Sequence, residues 1–364
     1  MKRFFDKLPS IKKPSIKKPS IKMPSIKMPF DVDAWLQKRW ARRTLYAGFF
    51  TMCFVLFAYW SFPYDRLRDH IIQQVEYPQG PGGRQPSGWE LDIVELSPSW
   101  GTGLTLEGVR MAKRSERPGD EPVAMRVDEL TVRASPFAYL VGNEGLSFDA
   151  DLGEGEVFGE YERSDTSTFV EADIESVDMG KLRILRGYMG IPFAGVLDGA
   201  MQFTIAEEPA DTEGELELSI RGLRIGDSRA KLRVQDMNEG LTIERIDAGD
   251  LTWRMTAEQG VARIDELKAA GEDAEIHGSG TVRLLQPLDM SRLDAMLRIG
   301  FADSYRNKND RTRALFSLME FNPKVRKART PDGALQWRFT GSLNGRLVPS
   351  PAGKAKTPTR ATAN

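Results

Sequence analysis

Residues 214–225 read GELELSIRGLRI. Leu216, Leu218 and Ile220 alternate there with Glu215, Glu217 and Ser219, a period of two that sends apolar and polar side chains to opposite faces of an extended chain. The pattern recurs on both sides. Before it stand WELDIVEL (89–96), LTLEGVRM (104–111), VAMRVDELTVRA (123–134), LSFDADL (146–152), GEVFGEYE (155–162), FVEADIES (169–176) and LDGAMQFTI (197–205). After it come AEIHGSGTVRLL (274–285), DAMLRIGF (294–301) and ALQWRFTGSLNGRL (334–347). Gly, Pro, Asp or Ser separates most of these runs, which predicts a mainly β body, largely antiparallel and half buried. Gly108, Gly159, Gly199, Gly222, Gly280 and Gly341 lie inside the runs. Strand glycines permit bulges and bending, so the expected sheet is curved. A few short helices complete the body. Met179, Leu182, Leu185 and Met189 form a helical stripe over 177–190, and Leu315, Leu318 and Met319, with Phe316 beside them, form another over 311–321.

Upstream of the body, residues 44–62 read TLYAGFFTMCFVLFAYWSF, nineteen residues without a charge. At ~1.5 Å per residue such a helix covers roughly 28 Å, one hydrocarbon core. Leu45, Phe49, Phe50, Phe54, Val55, Leu56 and Phe57 supply apolar surface, and Tyr59 and Trp60 sit where amphipathic rings favour the headgroup region. Pro63 stops the helix. The exit Ala58-Tyr59-Trp60-Ser61 lacks a small-x-small cleavage pattern, so an uncleaved anchor is expected. Lys38, Arg39, Arg42 and Arg43 crowd its leading end. By the positive-inside rule residues 1–43 are cytoplasmic and the body lies across the membrane.

Charge divides the chain in the same place. Residues 1–43 carry 13 Lys/Arg and 3 Asp/Glu, a net of +10, whereas the rest carries 38 and 49, a net of −11. The basic end contains PSIKK, PSIKK, PSIKM and PSIKM over 9–28. Proline at every fifth position blocks a continuous helix, and little can be buried, so this tail reads as a disordered spacer that fixes topology and is attracted to anionic lipid. Basic charge without a folded aromatic platform gives no reason to expect a nucleic-acid partner. A membrane-proximal helix and a Gly/Pro linker fill 63–88, the β-rich domain runs over 89–348 with a seam expected near 207–213, and a low-complexity tail, expected to be disordered, covers 349–364.

Chemistry-bearing clusters are sparse. Cys53, the single cysteine, belongs to the apolar run, so no intramolecular disulfide exists. His70 falls in the membrane-proximal helix and His277 in a glycine-rich strand. Neither stands in a nucleophile–base pattern, and no zinc-ligand spacing occurs. Acidic residues such as Asp149, Asp151, Glu215 and Glu217 are spaced as strand alternation requires. The expectation is a non-enzymatic protein with no catalytic, cofactor or metal site.

Several segments resemble one family. LDIVELSPSWGTGLTLEGVRM (91–111) and VDELTVRASPFAYLVGNEGLSFDADLGEGEVFGEYE (127–162) are similar to successive blocks of type II secretion system protein N in its myxobacterial form. The 246–301 stretch resembles its later core, with Gly271-Glu272-Asp273 preceding Leu284, Pro287, Leu288, Ser291 and Leu293, and FTGSLNGRLVPSP (339–351) resembles its ending. The resemblance implies a single-pass inner-membrane protein with a periplasmic β-rich domain. Such a protein would be an accessory or scaffold for export of folded proteins, partnered by other inner-membrane secretion proteins and by membrane lipid. More distantly the pattern resembles AsmA-like proteins, which implies the alternative of a sheet groove that handles or transports lipid.

Overall fold

A computed structural model of the chain describes residues 39–80, 83–99, 101–113, 123–140, 142–182, 191–228, 231–232, 241–242, 244–343 and 347–354. The pentapeptide repeats, Lys38 and the last ten residues lie outside them. Two units result, Met1–Phe62 and Pro63–Asn364.

In the first unit, α1 spans Arg39–Ser61. Its 20 residues from Arg42 to Ser61 bury nothing in the protein and are long and apolar enough to cross a membrane. Phe50, Phe54 and Phe57 are each about 70% exposed, the surface of a helix solvated by something other than its own chain. Leu45, Phe49, Val55, Leu56 and Trp60 are exposed as well, while Tyr59 is half-buried. Arg42 and Arg43 occupy its first turn.

The second unit opens with α2, Tyr64–Glu76, started by Pro63. Tyr64, Leu67, Ile71 and Ile72 pack on a buried cluster of Ile93, Leu96, Leu106, Val109 and Val127. The spacing of Leu67 and Ile71 aims them at one face, and Glu76 fixes the far end by accepting from the Leu91 amide at 3.3 Å.

Among the described residues, fifteen strands form one antiparallel sheet in which, from the third strand on, neighbours in sequence are neighbours in space. They are β1 Trp89–Asp92, β2 Glu95–Ser99, β3 Gly103–Lys113, β4 Val123–Ala134, β5 Glu144–Asp151, β6 Glu156–Arg163, β7 Ser167–Asp178, β8 Phe193–Ala206, β9 Glu213–Ile225, β10 Ile246–Glu258, β11 Val261–Ala270, β12 Ala274–Arg283, β13 Arg292–Phe301, β14 Leu335–Ser342 and β15 Val348–Pro351. From β3 onward each strand pairs with the next, and β1 and β2 pair with two halves of β3. At ~4.8 Å per strand the sheet runs roughly 60 Å along its surface. Three helices lie between β13 and β14: α4 Asp303–Arg306, α5 Asp310–Phe321 and α6 Pro323–Ala328. Another, α3 Pro136–Leu140, joins β4 to β5.

The sheet is bent, as expected. Register shifts interrupt β8 between Ala194 and Val196, β9 between Ile220 and Leu223, and β11 between Ile264 and Leu267. Each bulge increases local twist and turns the strand. Cα atoms of β10 and β12 approach within 8 Å across the intervening β11, closer than the ~9.6 Å of a flat sheet.

Several expectations need correction. WELDIVEL is two strands, because Val94 and Glu95 are both exposed between inward-facing Ile93 and Leu96, which breaks the period of two. The 177–190 stripe is not a helix at its start: Val177 and Asp178 end β7, residues 179–181 turn, and 183–190 lie outside the described residues. The expected 311–321 helix is present as α5, capped by Asn309, whose side chain accepts from the Thr312 amide at 3.0 Å. The Gly/Pro linker contains a ribbon, Gln79–Gly80 paired with Gly83–Arg84. Residues 349–351 are strand rather than tail, because with Val348 they pair antiparallel with Trp337–Thr340 of β14. The proposed seam at 207–213 is the turn between β8 and β9, which stay paired up to Thr204 and Glu213.

Candidate functional site

The registers place matching residue types in rows across the sheet. One row runs Leu106, Leu130, Ala150, Val157, Ile174, Gly199, Leu218, Trp253, Leu267, Gly278, Leu297, Trp337 and Pro351. Two residues further along the strands, a second row runs from Leu104 through Phe148, Met201, Leu216, Met255 and Ile264 to Phe339. A third joins Val177, Leu197, Ile220, Leu251, Ala269, Ile276, Ile299 and Leu335. None of the three contains a polar side chain beyond the Trp indoles.

The intervening residues face the other way and are mostly polar, with Phe158, Ala200 and Met296 as exceptions. Ser147, Glu160, Glu171, Gln202, Glu215, Thr256, Arg263, Thr281, Asp294 and Thr340 make one such row. Their charges pair across strands. Arg338 bonds both Asp294 oxygens, at 2.7 and 2.5 Å, and Arg254 lies 2.9 Å from Glu217 and 3.0 Å from Glu266. The bond from Arg338 holds the Asp294 carboxyl below its usual range. These pairs are solvent-exposed and individually weak. They define which face is wet.

Among the described residues, α2 packs on β1, β2 and the buried cluster that continues into β3 and β4, and α4 and α5 cover the apolar face beside Phe301, where Tyr305 stacks at 6.0 Å and Phe316 meets the ring edge-on at 5.2 Å. Between these two covers no described element lies on the apolar face. Met201, Leu216, Leu218, Trp253, Met255 and Leu267 are only half-buried there, although each is large and apolar. Small residues on the same face, Ala172, Ala257, Ala262 and Ala269, are at most 4% exposed. The result is an apolar trough. Trp253 contributes a buried indole N–H with no acceptor among the described residues.

Two glycines keep the rows level. A Cβ at Gly278 would stand 2.2 Å from Leu267 Cδ2, and one at Gly199 2.5 Å from Leu218 Cδ2. In both places the leucine of one strand lies over the glycine of the next, so the trough floor is filled without a step.

On one lip, the β4–β5, β12–β13 and β14–β15 turns and their flanks carry Phe137 and Leu140, both about 80% exposed, together with exposed Tyr139, Leu146, Met290, Leu343, Leu347 and Val348, whereas the β8–β9 turn between them carries exposed Glu207, Glu208 and Asp211. The other candidates from sequence are scattered. His277 sits on the polar face between Lys268 and Arg298, His70 is exposed on α2, and Cys53 is exposed on α1. No metal-ligand cluster occurs among the described residues.

No family model, curated protein or solved structure matches this chain.

Proposed function

We propose that this is a non-enzymatic, membrane-anchored envelope protein whose β body holds lipid acyl chains along its apolar trough. The carrying observation is the set of three uninterrupted apolar rows, uncovered by any described element between α2 and α5. Methylene chains are the ligand such a surface suits, since each CH₂ withdrawn from water contributes about 0.8 kcal/mol and demands no directional partner. In this proposal α1 spans the inner membrane, the basic leading end is cytoplasmic and the body is periplasmic.

Photoactivatable phospholipid tests the proposal. Cross-links are expected on Met201, Leu218 and Trp253, lost in Met201→Glu and retained in Gln202→Glu on the wet face. Cross-links restricted to residues 44–62 would mean that only the anchor meets lipid.

A second proposal places the protein as an accessory of the type II secretion apparatus. It is favoured by the position of the stretches that carry the resemblance, which form β1–β3, β4–β6, β10–β13 and β14–β15 of one body behind one anchor-like helix. Recruitment by edge pairing is disfavoured: β15 carries Pro349 and Pro351, β2 carries Pro98, and β1 has four residues. Partners would then bind faces or lips. Deletion should reduce release of folded substrates, and unchanged release with no co-purifying secretion proteins would remove this proposal.

A further inference from the structure

A cavity of about 290 Å³ opens where α5 and α6 meet the end of the trough. Its floor is Phe301 and Leu335, both on the apolar face, and Phe316, Met319 and Val325 form its walls. Arg306, Arg326 and Arg329 line the same cavity together with Glu320. Arg329 lies 3.1 Å from Glu320 and is thereby neutralised. Arg306 is held in place: its Nη2 donates to the Gly333 carbonyl at 3.0 Å, and its guanidinium lies 5.6 Å over the Phe316 ring. Its Nη1 is 3.9 Å from Asp303, too long for a hydrogen bond. The Nε of Arg306 is buried and has no acceptor among the described residues. No described residue pairs with Arg326. Charge around the cavity runs against the body as a whole. Residues 303–332 carry eight Lys/Arg and four Asp/Glu, whereas the chain beyond residue 43 carries 38 and 49.

We infer that this corner binds the anionic end of a fatty acid or phosphate-bearing lipid, with Arg306 and Arg326 on the headgroup and the chain leading from Phe301 and Leu335 into the trough. The inference rests on the proposed lipid trough and adds the class of headgroup. The fit is chemical on both sides. A carboxylate or phosphate supplies a partner for the exposed Arg326, which lines the cavity unpaired by any described residue, and charge-assisted bonds of this type are among the stronger ones available. The cavity lies at the small end of ligand sites, enough for a headgroup and its first carbons but not for a whole lipid. The remaining carbons need the adjoining apolar rows.

The test uses the full chain in a non-ionic amphipol with dansyl-undecanoic acid as fluorescent probe. Oleate, lysophosphatidylglycerol, uncharged monoolein and inorganic phosphate serve as competitors. Oleate and lysophosphatidylglycerol are expected to displace the probe about tenfold better than monoolein, and phosphate is expected not to displace it. Arg326→Glu with Arg306→Met should remove that advantage while leaving monoolein binding and the circular dichroism spectrum unchanged. Should the double variant misfold, Arg326→Glu alone must still lower oleate affinity at least about threefold. Equal displacement by charged and uncharged amphiphiles would overturn the headgroup site and leave the trough standing. Absence of any amphiphile binding would overturn both. Displacement by phosphate alone would make the corner a simple anion site and overturn the lipid assignment.

Discussion

The side-chain amide of Gln286 donates a 3.0 Å hydrogen bond to the carbonyl of Ala206, although β9, β10 and β11 separate the two positions in the sheet. In a flat sheet β8 and β12 would stand roughly 19 Å apart, beyond the reach of a glutamine. The bond therefore measures how far this lip curls. Gln286→Ala should lower unfolding stability by about 1 kcal/mol, the usual net value of such a bond, and speed amide exchange in residues 206–212. A denaturation curve and exchange pattern identical to the parent would mean that bulges alone set the curl.

The floor of the trough makes a sharper prediction. Leu267 Cδ2 occupies the space that a Gly278 side chain would need, and the conflict cannot be relieved by rotating a surface group because both positions lie inside paired strands. Gly278→Val should cost about 1–3 kcal/mol, the range for overpacking, read as a lowered urea midpoint. Gly278→Val with Leu267→Ala should recover part of that loss. Failure of the second change to help would show that the glycine is needed for backbone geometry instead.

Much of this surface is legible along each strand and little of it between strands. GELELSIRGLRI declares its two faces by alternation alone, and its neighbours do the same. Which apolar residue lies beside which depends on register, and register follows from turns and bulges that leave weak traces. β10 alternates as cleanly, with Leu251, Trp253, Met255 and Ala257 set against Thr252, Arg254 and Thr256, and is an addition to the strands expected from sequence. β11 was obscured for a physical reason. Its bulge puts Asp265 and Glu266 together between Ile264 and Leu267, which breaks the period of two and imitates a helical spacing. The basic corner is not local at all, since Arg306, Arg326 and Phe301 converge only after β13, α4, α5 and α6 have packed.

Acid should loosen the helical end before the rest. The Glu244 carboxyl is held below its usual range, chiefly by a bond from Ser228 and then by Asn309 and Arg311, the last at 3.5 Å. Nearby, the buried Tyr305 phenol donates to the Glu244 backbone carbonyl at 2.8 Å, and burial, then the charges of Asp273 and Glu244, push that phenol's pKa up. A carboxyl depressed by folding stabilises fully above the ordinary glutamate value of 4.5 and loses that contribution as pH falls through its folded value. Glu244→Gln should therefore lower the urea midpoint at pH 7, by about 1 kcal/mol in stability, and the gap to the parent should close towards pH 3. A gap that does not change with pH would assign the loss to packing.

Orientation depends on the few residues flanking α1. Twenty residues with no burial in the protein are more stable in hydrocarbon than in water, and Arg42 and Arg43 at the leading end are costly to translocate. Alkaline phosphatase fused after Gly88 should be active and β-galactosidase at the same place inactive, and alkaline washing should leave the protein in the membrane fraction. Replacing Lys38, Arg39, Arg42 and Arg43 by Glu removes the bias without changing the apolar run, so it should lower phosphatase activity severalfold while membrane retention persists. That pairing separates the two forces involved: the apolar length decides whether the helix enters, and the basic flank decides which way it points. A cytosolic body, reported by an active β-galactosidase fusion, would rule out both the lipid and the secretion proposals, because each requires the sheet on the far side of the bilayer from the basic tail.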